Sequence, residues 1–103
     1  MKTQIFSLFS GSSGNCTLVR HGGTELLIDA GVSCRAICSS LRAVGSAPEN
    51  ISAIFVTHEH IDHVRGLDVF CKNRKIPVHI TRPSAENLPY AAGTALCDCF
   101  LIH

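Results

Sequence analysis

The chain has 103 residues, 46% of them hydrophobic, which suffices for one modest domain with a single core and not for two. Its net charge of +1 excludes neither a nucleic-acid nor a neutral substrate, and its nearest basic cluster, Lys72, Arg74 and Lys75, reads as the dipole partner of a helix C-terminus. No stretch approaches the roughly 20 apolar residues that span a bilayer. The apolar run at residues 5–9 is too short for a secretory signal, and the six cysteines read as reduced thiols of a cytoplasmic protein.

In chain order, residues 3 to 9 predict a first strand, followed by the loop Ser10-Gly11-Ser12-Ser13-Gly14-Asn15, whose residues tolerate positive φ or bond their own backbone. Residues 17–20 and 25–28 predict two strands joined by the hairpin turn His21-Gly22-Gly23-Thr24, and Asp29-Ala30-Gly31 ends the second of them. Ser33 is a good N-cap for a helix reaching Val44, with Ile37, Leu41 and Val44 on one stripe and Gly45 as its stop. Pro48-Glu49-Asn50 turns into Ala53-Ile54-Phe55-Val56-Thr57, a buried strand by its apolar, β-branched content. Val64, Leu67, Val69, Phe70 and Cys71 then give a helical pattern beginning at Asp62 or His63, and residues 76–80 a fifth strand. Residues 82–93 show no clear period, and 96–102 suit a last strand. Antiparallel strands first, then alternating helix and strand, predict a layered α/β (α+β) fold in one domain over 1–103.

The densest chemistry lies in His58-Glu59-His60-Ile61-Asp62-His63, which holds three of the six histidines at the carboxyl end of the buried strand. In an extended or looped segment His58 and His60 project to the same side, so two imidazole nitrogens reach one cation. Asp62 and His63 point differently and suit a second ion nearby, the two-metal arrangement that activates water for hydrolysis. Glu59 and Ile61 occupy the alternate positions, Ile61 toward packing and Glu59 toward solvent or a supporting partner.

This stretch resembles the metallo-β-lactamase superfamily, whose His-x-His-x-Asp-His motif it matches without a gap. Leu26-Leu27-Ile28-Asp29-Ala30-Gly31 is similar to the superfamily's first motif. Phe9-Ser10-Gly11-Ser12-Ser13-Gly14-Asn15-Cys16 resembles the opening of a bacterial cytoplasmic branch associated with cell-wall regulation and 5′-to-3′ exonuclease activity. The likeness is clearest over residues 4–81. It implies the N-terminal half of an αββα sandwich and a metal-dependent hydrolase, phosphodiesterase or nuclease-like. It further implies two divalent ions, zinc or manganese: His58 and His60 on the first, Asp62 and His63 on the second, with Asp62 as the catalytic proton handler and Asp29 bracing the loop.

The superfamily takes further ligands from downstream of this region. The chain therefore reads as truncated, with His103 as a candidate third ligand of the first metal. Half a sandwich leaves a sheet face unpaired, which implies self-association, and nucleic acid is the implied substrate. A non-catalytic metal-binding or interaction module and an inert fragment are the rivals. Cys34-x-x-x-Cys38 and Cys97-x-Cys99 lack the usual two-residue gap of a zinc pair and read as buried thiols acting as small hydrophobes. His21 and His79 read as surface residues, and the loop at 10–15 as a tight turn or a phosphate cradle.

Overall fold

A computed structural model describes residues 2–72, 74–89 and 99–103. Strands β1 (Thr3–Phe9), β2 (Cys16–His21), β3 (Thr24–Ile28), β4 (Ile51–Phe55), β5 (Val78–Ile80) and β6 (Phe100–Ile102) form one sheet in sequence order. The first three strands pair antiparallel and the last three join in parallel. The predicted hairpin closes on Gly22 and Gly23 between His21 and Thr24, and Gly22 takes a φ of 59°, a region that costs glycine nothing.

Helix α1 (Cys34–Ala43) starts where the sequence predicts, because the Ser33 hydroxyl accepts the Ala36 N–H. It stops where Gly45, at φ 78°, lets the Ser46 N–H return to the Leu41 carbonyl. Its buried residues Ile37, Cys38 and Leu41 share one core with Leu18, Leu27, Ile54 and Val78 of the sheet. A Ser33→Ala variant removes the cap, and a thermal melt should register about 1 kcal/mol of lost stability.

The helix predicted to run from Asp62 or His63 through Cys71 is instead two short ones, α2 (Ile61–Val64) and α3 (Leu67–Cys71). They break at Gly66, whose N–H leaves the helical ladder for the Ala30 carbonyl at 2.8 Å. No side chain fits there: a Cβ on Gly66 would overlap the Val32 carbonyl oxygen. Leu67, Phe70 and Cys71 of α3 join the core beside α1, and Arg74 donates to the Phe70 carbonyl at 2.9 Å, the helix-end role expected of the basic cluster. The stretch after β5 contains a helix that the sequence pattern does not reveal, α4 (Arg82–Glu86), with Pro83 in its first turn. β6 covers the end of the predicted last strand, whose earlier residues, Cys97 and Asp98 among them, lie outside the described residues.

The helices thus cover the sheet face that carries Leu18, Leu27, Ile54 and Val78. On the opposite face Phe55, His79 and Leu101 follow one another in register, and Ile5, Phe55 and Leu101 are exposed. No helix among the described residues is long and apolar enough to cross a membrane.

Candidate metal centre

The His58–His63 loop leaves the carboxyl end of β4, and three backbone segments fix it there. The Asp29 N–H donates to the Phe55 carbonyl and the Ala30 N–H to that of His63, at 2.8 and 2.9 Å. The Asn15 N–H reaches the Asp62 carbonyl and the Gly31 N–H reaches that of Asn15, both at 2.8 Å. Segments 11–15, 29–31 and 60–66 are therefore joined main chain to main chain.

Asp29 stands at the centre of this junction, 4% exposed and at a φ of 66°, a conformation that Asp and Asn tolerate better than most residues. Its Oδ1 accepts the Thr57 N–H at 2.8 Å, and its Oδ2 accepts the Thr57 hydroxyl and His63 Nδ1, each at 2.7 Å. A carboxylate only accepts, so Nδ1 of His63 carries a proton and donates it to Asp29. The Thr57 hydroxyl, having donated to Asp29, offers its lone pairs to His58 Nδ1 at 3.1 Å, which fixes the orientation of that ring too. This is the bracing that the resemblance assigns to Asp29, and it extends through Thr57, a residue the sequence analysis did not single out.

The imidazoles of His58 and His63 lie 3.6 Å apart by ring centroid, and those of His58 and His60 5.2 Å apart. His58 thus sits closer to His63 than to its expected partner His60. Asp62 Oδ2 is 3.6 Å from His63 Nε2. The His60 side chain is 71% exposed and that of His63 14%, so the group opens to water on the His60 side. Glu59 has the supporting partner expected of it: the Ser84 hydroxyl donates to Oε1 at 3.1 Å. Its carboxyl is held below its ordinary value, first by its own backbone N–H, then by Ser84, with smaller help from the charges of His60 and His58. Ile61 corrects an expectation. It is 43% exposed rather than packed, because the turn of α2 rotates it away from the core.

Asn15 is the functional candidate that sequence reasoning missed. Its Nδ2 lies 3.2 Å from the Asp62 carbonyl oxygen, 3.3 Å from Asp62 Oδ2 and 3.4 Å from His63 Nε2. The same side chain takes the Gly11 N–H on Oδ1 and donates to the Gly11 carbonyl, so the Ser/Gly loop is a tight turn closed on itself, with its Gly11 donor already engaged. His103 pairs with His79, Nε2 to Nδ1 at 2.9 Å, and His79 stacks on Phe55. His21 Nδ1 and the Thr3 hydroxyl pair at 2.7 Å at the exposed sheet edge.

As donors, three imidazoles and a carboxylate on one short loop suit zinc, manganese or a similar divalent ion, and two of those imidazoles are held in place through Nδ1. They fit in kind and not in number. Among the described residues no three His, Cys, Asp or Glu side chains are grouped to hold one ion.

The profile of the metallo-beta-lactamase superfamily matches residues 10–94. The chain belongs to that superfamily. It is 43% identical over 86 residues to the exodeoxyribonuclease WalJ of Streptococcus pneumoniae serotype 2, covering 81% of this chain and 32% of that protein. To the exodeoxyribonuclease YycJ of Bacillus anthracis it is 33% identical over 91 residues, covering 88% of this chain and 34% of the relative. A solved Cronobacter sakazakii metallo-beta-lactamase with a HARLDQ motif shares the fold at a TM-score of 0.66 and 24% identity, over 81% of this chain and 35% of that one. The chain spans about a third of the length of these relatives. The expected fold class holds: the sheet with helices on one face is that of the superfamily.

Proposed function

We propose that this chain carries the amino-terminal part, residues 1–103, of a cytoplasmic metal-dependent hydrolase of the nuclease type, acting on phosphodiester bonds of nucleic acid. His58 and His60 would hold one divalent ion, and Asp62 and His63 a second, zinc or manganese in each case. Bound there, such ions polarise a phosphoryl oxygen and make water a nucleophile at neutral pH. The remaining work belongs to the chain's own groups. Asp29 fixes the orientation of His63, Thr57 that of His58, and Asp62, beside His63 Nε2, handles the proton. The exodeoxyribonuclease relatives support the substrate class, and the exposed apolar face with Ile5, Phe55 and Leu101 supports self-association or a covering chain.

The observation that carries this reading is the 2.7 Å contact from His63 Nδ1 to buried Asp29, which leaves Nε2 beside the Asp62 carboxylate. The grouping of fewer than three donors favours a second reading, a binding module without turnover. Metal content after purification without chelator separates them, with a His58→Ala, His60→Ala double variant alongside. Two ions per chain, lost in the double variant, are expected. One ion without phosphodiesterase turnover selects the binding module, and no bound metal overturns both readings.

A further inference from the structure

Two sulfurs meet away from the histidine loop. Cys34 opens α1 and Cys38 lies one turn further on the same face, with their Sγ atoms 4.0 Å apart. Cys34 is half-buried and Cys38 is 8% exposed. Helix geometry sets Cβ atoms at this spacing about 5–6 Å apart, beyond the roughly 3.5–4.5 Å that a disulfide requires. The pair therefore resists closing directly. A single atom placed between the sulfurs meets no such obstacle, because two metal–sulfur bonds of about 2.3 Å reach across as much as about 4.6 Å.

We propose that Cys34 and Cys38 form a two-coordinate dithiolate site for a soft monovalent cation, Cu(I). Thiolate ligands select soft ions, and Cu(I) is satisfied by two of them, whereas structural zinc asks for four. Cys71 lies near enough to Cys34 for their charges to interact, but the 4.0 Å sulfur contact joins Cys34 and Cys38. Binding is an exchange without redox change: two thiols and Cu(I) give a bis-thiolate complex of charge −1 and two released protons.

Burial raises the thiols around this pair and within it. Burial, followed by the charge of Asp29, pushes the Cys16 thiol up to about 12, and burial, followed by Cys99 and Asp68, pushes Cys71 up to about 12, so both stay protonated at neutral pH. Burial, followed by Cys34, pushes the Cys38 thiol up as well, against smaller opposing effects of Arg74 and Arg42, whose positive charges would balance the anionic complex.

The test is an anaerobic titration of the full chain with Cu(I) buffered by bicinchoninate. One ion per chain, with thiolate-to-copper charge-transfer absorption, is expected, and Cys34→Ser should weaken binding about tenfold or more. The His58→Ala, His60→Ala variant should bind as the parent does, which keeps this site separate from the histidine loop. Cys34 is half-buried, so its serine variant should fold, and circular dichroism checks that it does; Cys38→Ser is the confirming second variant. Absence of Cu(I) binding, undiminished binding in folded Cys34→Ser, or loss in the histidine variant would each overturn the proposal.

Discussion

A Gly31→Ala variant should lose about 3–5 kcal/mol of stability, a large share of what a small domain has. The added Cβ would overlap the carbonyl group of Asp62 and come within 2.7 Å of the Asn15 nitrogen. All of these are backbone atoms, and none can swing aside as a side-chain tip would. Relief requires parting segments 11–15 and 60–63, which costs the hydrogen bonds from Gly31 to Asn15 and from Asn15 to Asp62. Urea denaturation reads the loss as a lower midpoint. Gly23→Ala is the control, since its Cβ would meet nothing within 4 Å, and it should change little. Equal midpoints for the two variants would contradict the described packing.

Asp29 substitutions should separate folding from metal affinity. Asp29→Ala strips the acceptor from the Thr57 N–H, the Thr57 hydroxyl and His63 Nδ1, three part-buried hydrogen bonds worth about 0.5–1.5 kcal/mol each. Asp29 also sits at a positive φ that alanine tolerates poorly, so loss of folding is expected. An asparagine in its place accepts that backbone angle and keeps one acceptor oxygen. Asp29→Asn should therefore stay folded while binding metal about 10–100-fold more weakly, because the imidazole of His63 is no longer held by a carboxylate. Competition with a chelator measures the affinity, and circular dichroism the fold. Unchanged affinity in Asp29→Asn would remove Asp29 from the support of the site.

What the sequence makes legible here is what short range decides. Residues 25–28 and 53–57 read as strands because their apolar content is local, and the observed strands, Thr24–Ile28 and Ile51–Phe55, agree to within two residues at each end. The start and stop of α1 show because Ser33 and Gly45 act within a single turn. The His58–His63 group is legible because its donors are adjacent in the chain. Gly66 was not, since its N–H chooses between a helical carbonyl and that of Ala30, 36 residues upstream, and only tertiary contact settles the choice. Asn15 hides for the same reason: it reads as an ordinary turn residue until the fold brings Asp62, 47 positions away, against its amide. Ile61 misled because an extended segment and a helical turn send the same position in different directions.

The three segments around the histidine loop are tied through peptide groups, which every residue type other than proline carries in full. Beyond the side chains of Asn15 and Asp29 and the room it denies at Gly14, Gly31 and Gly66, such a junction places few demands on side-chain identity. The exposed faces of these loops are therefore free to vary in shape and charge while the framework beneath them stays in position. Those surfaces can be exchanged without rebuilding the frame that holds the histidines.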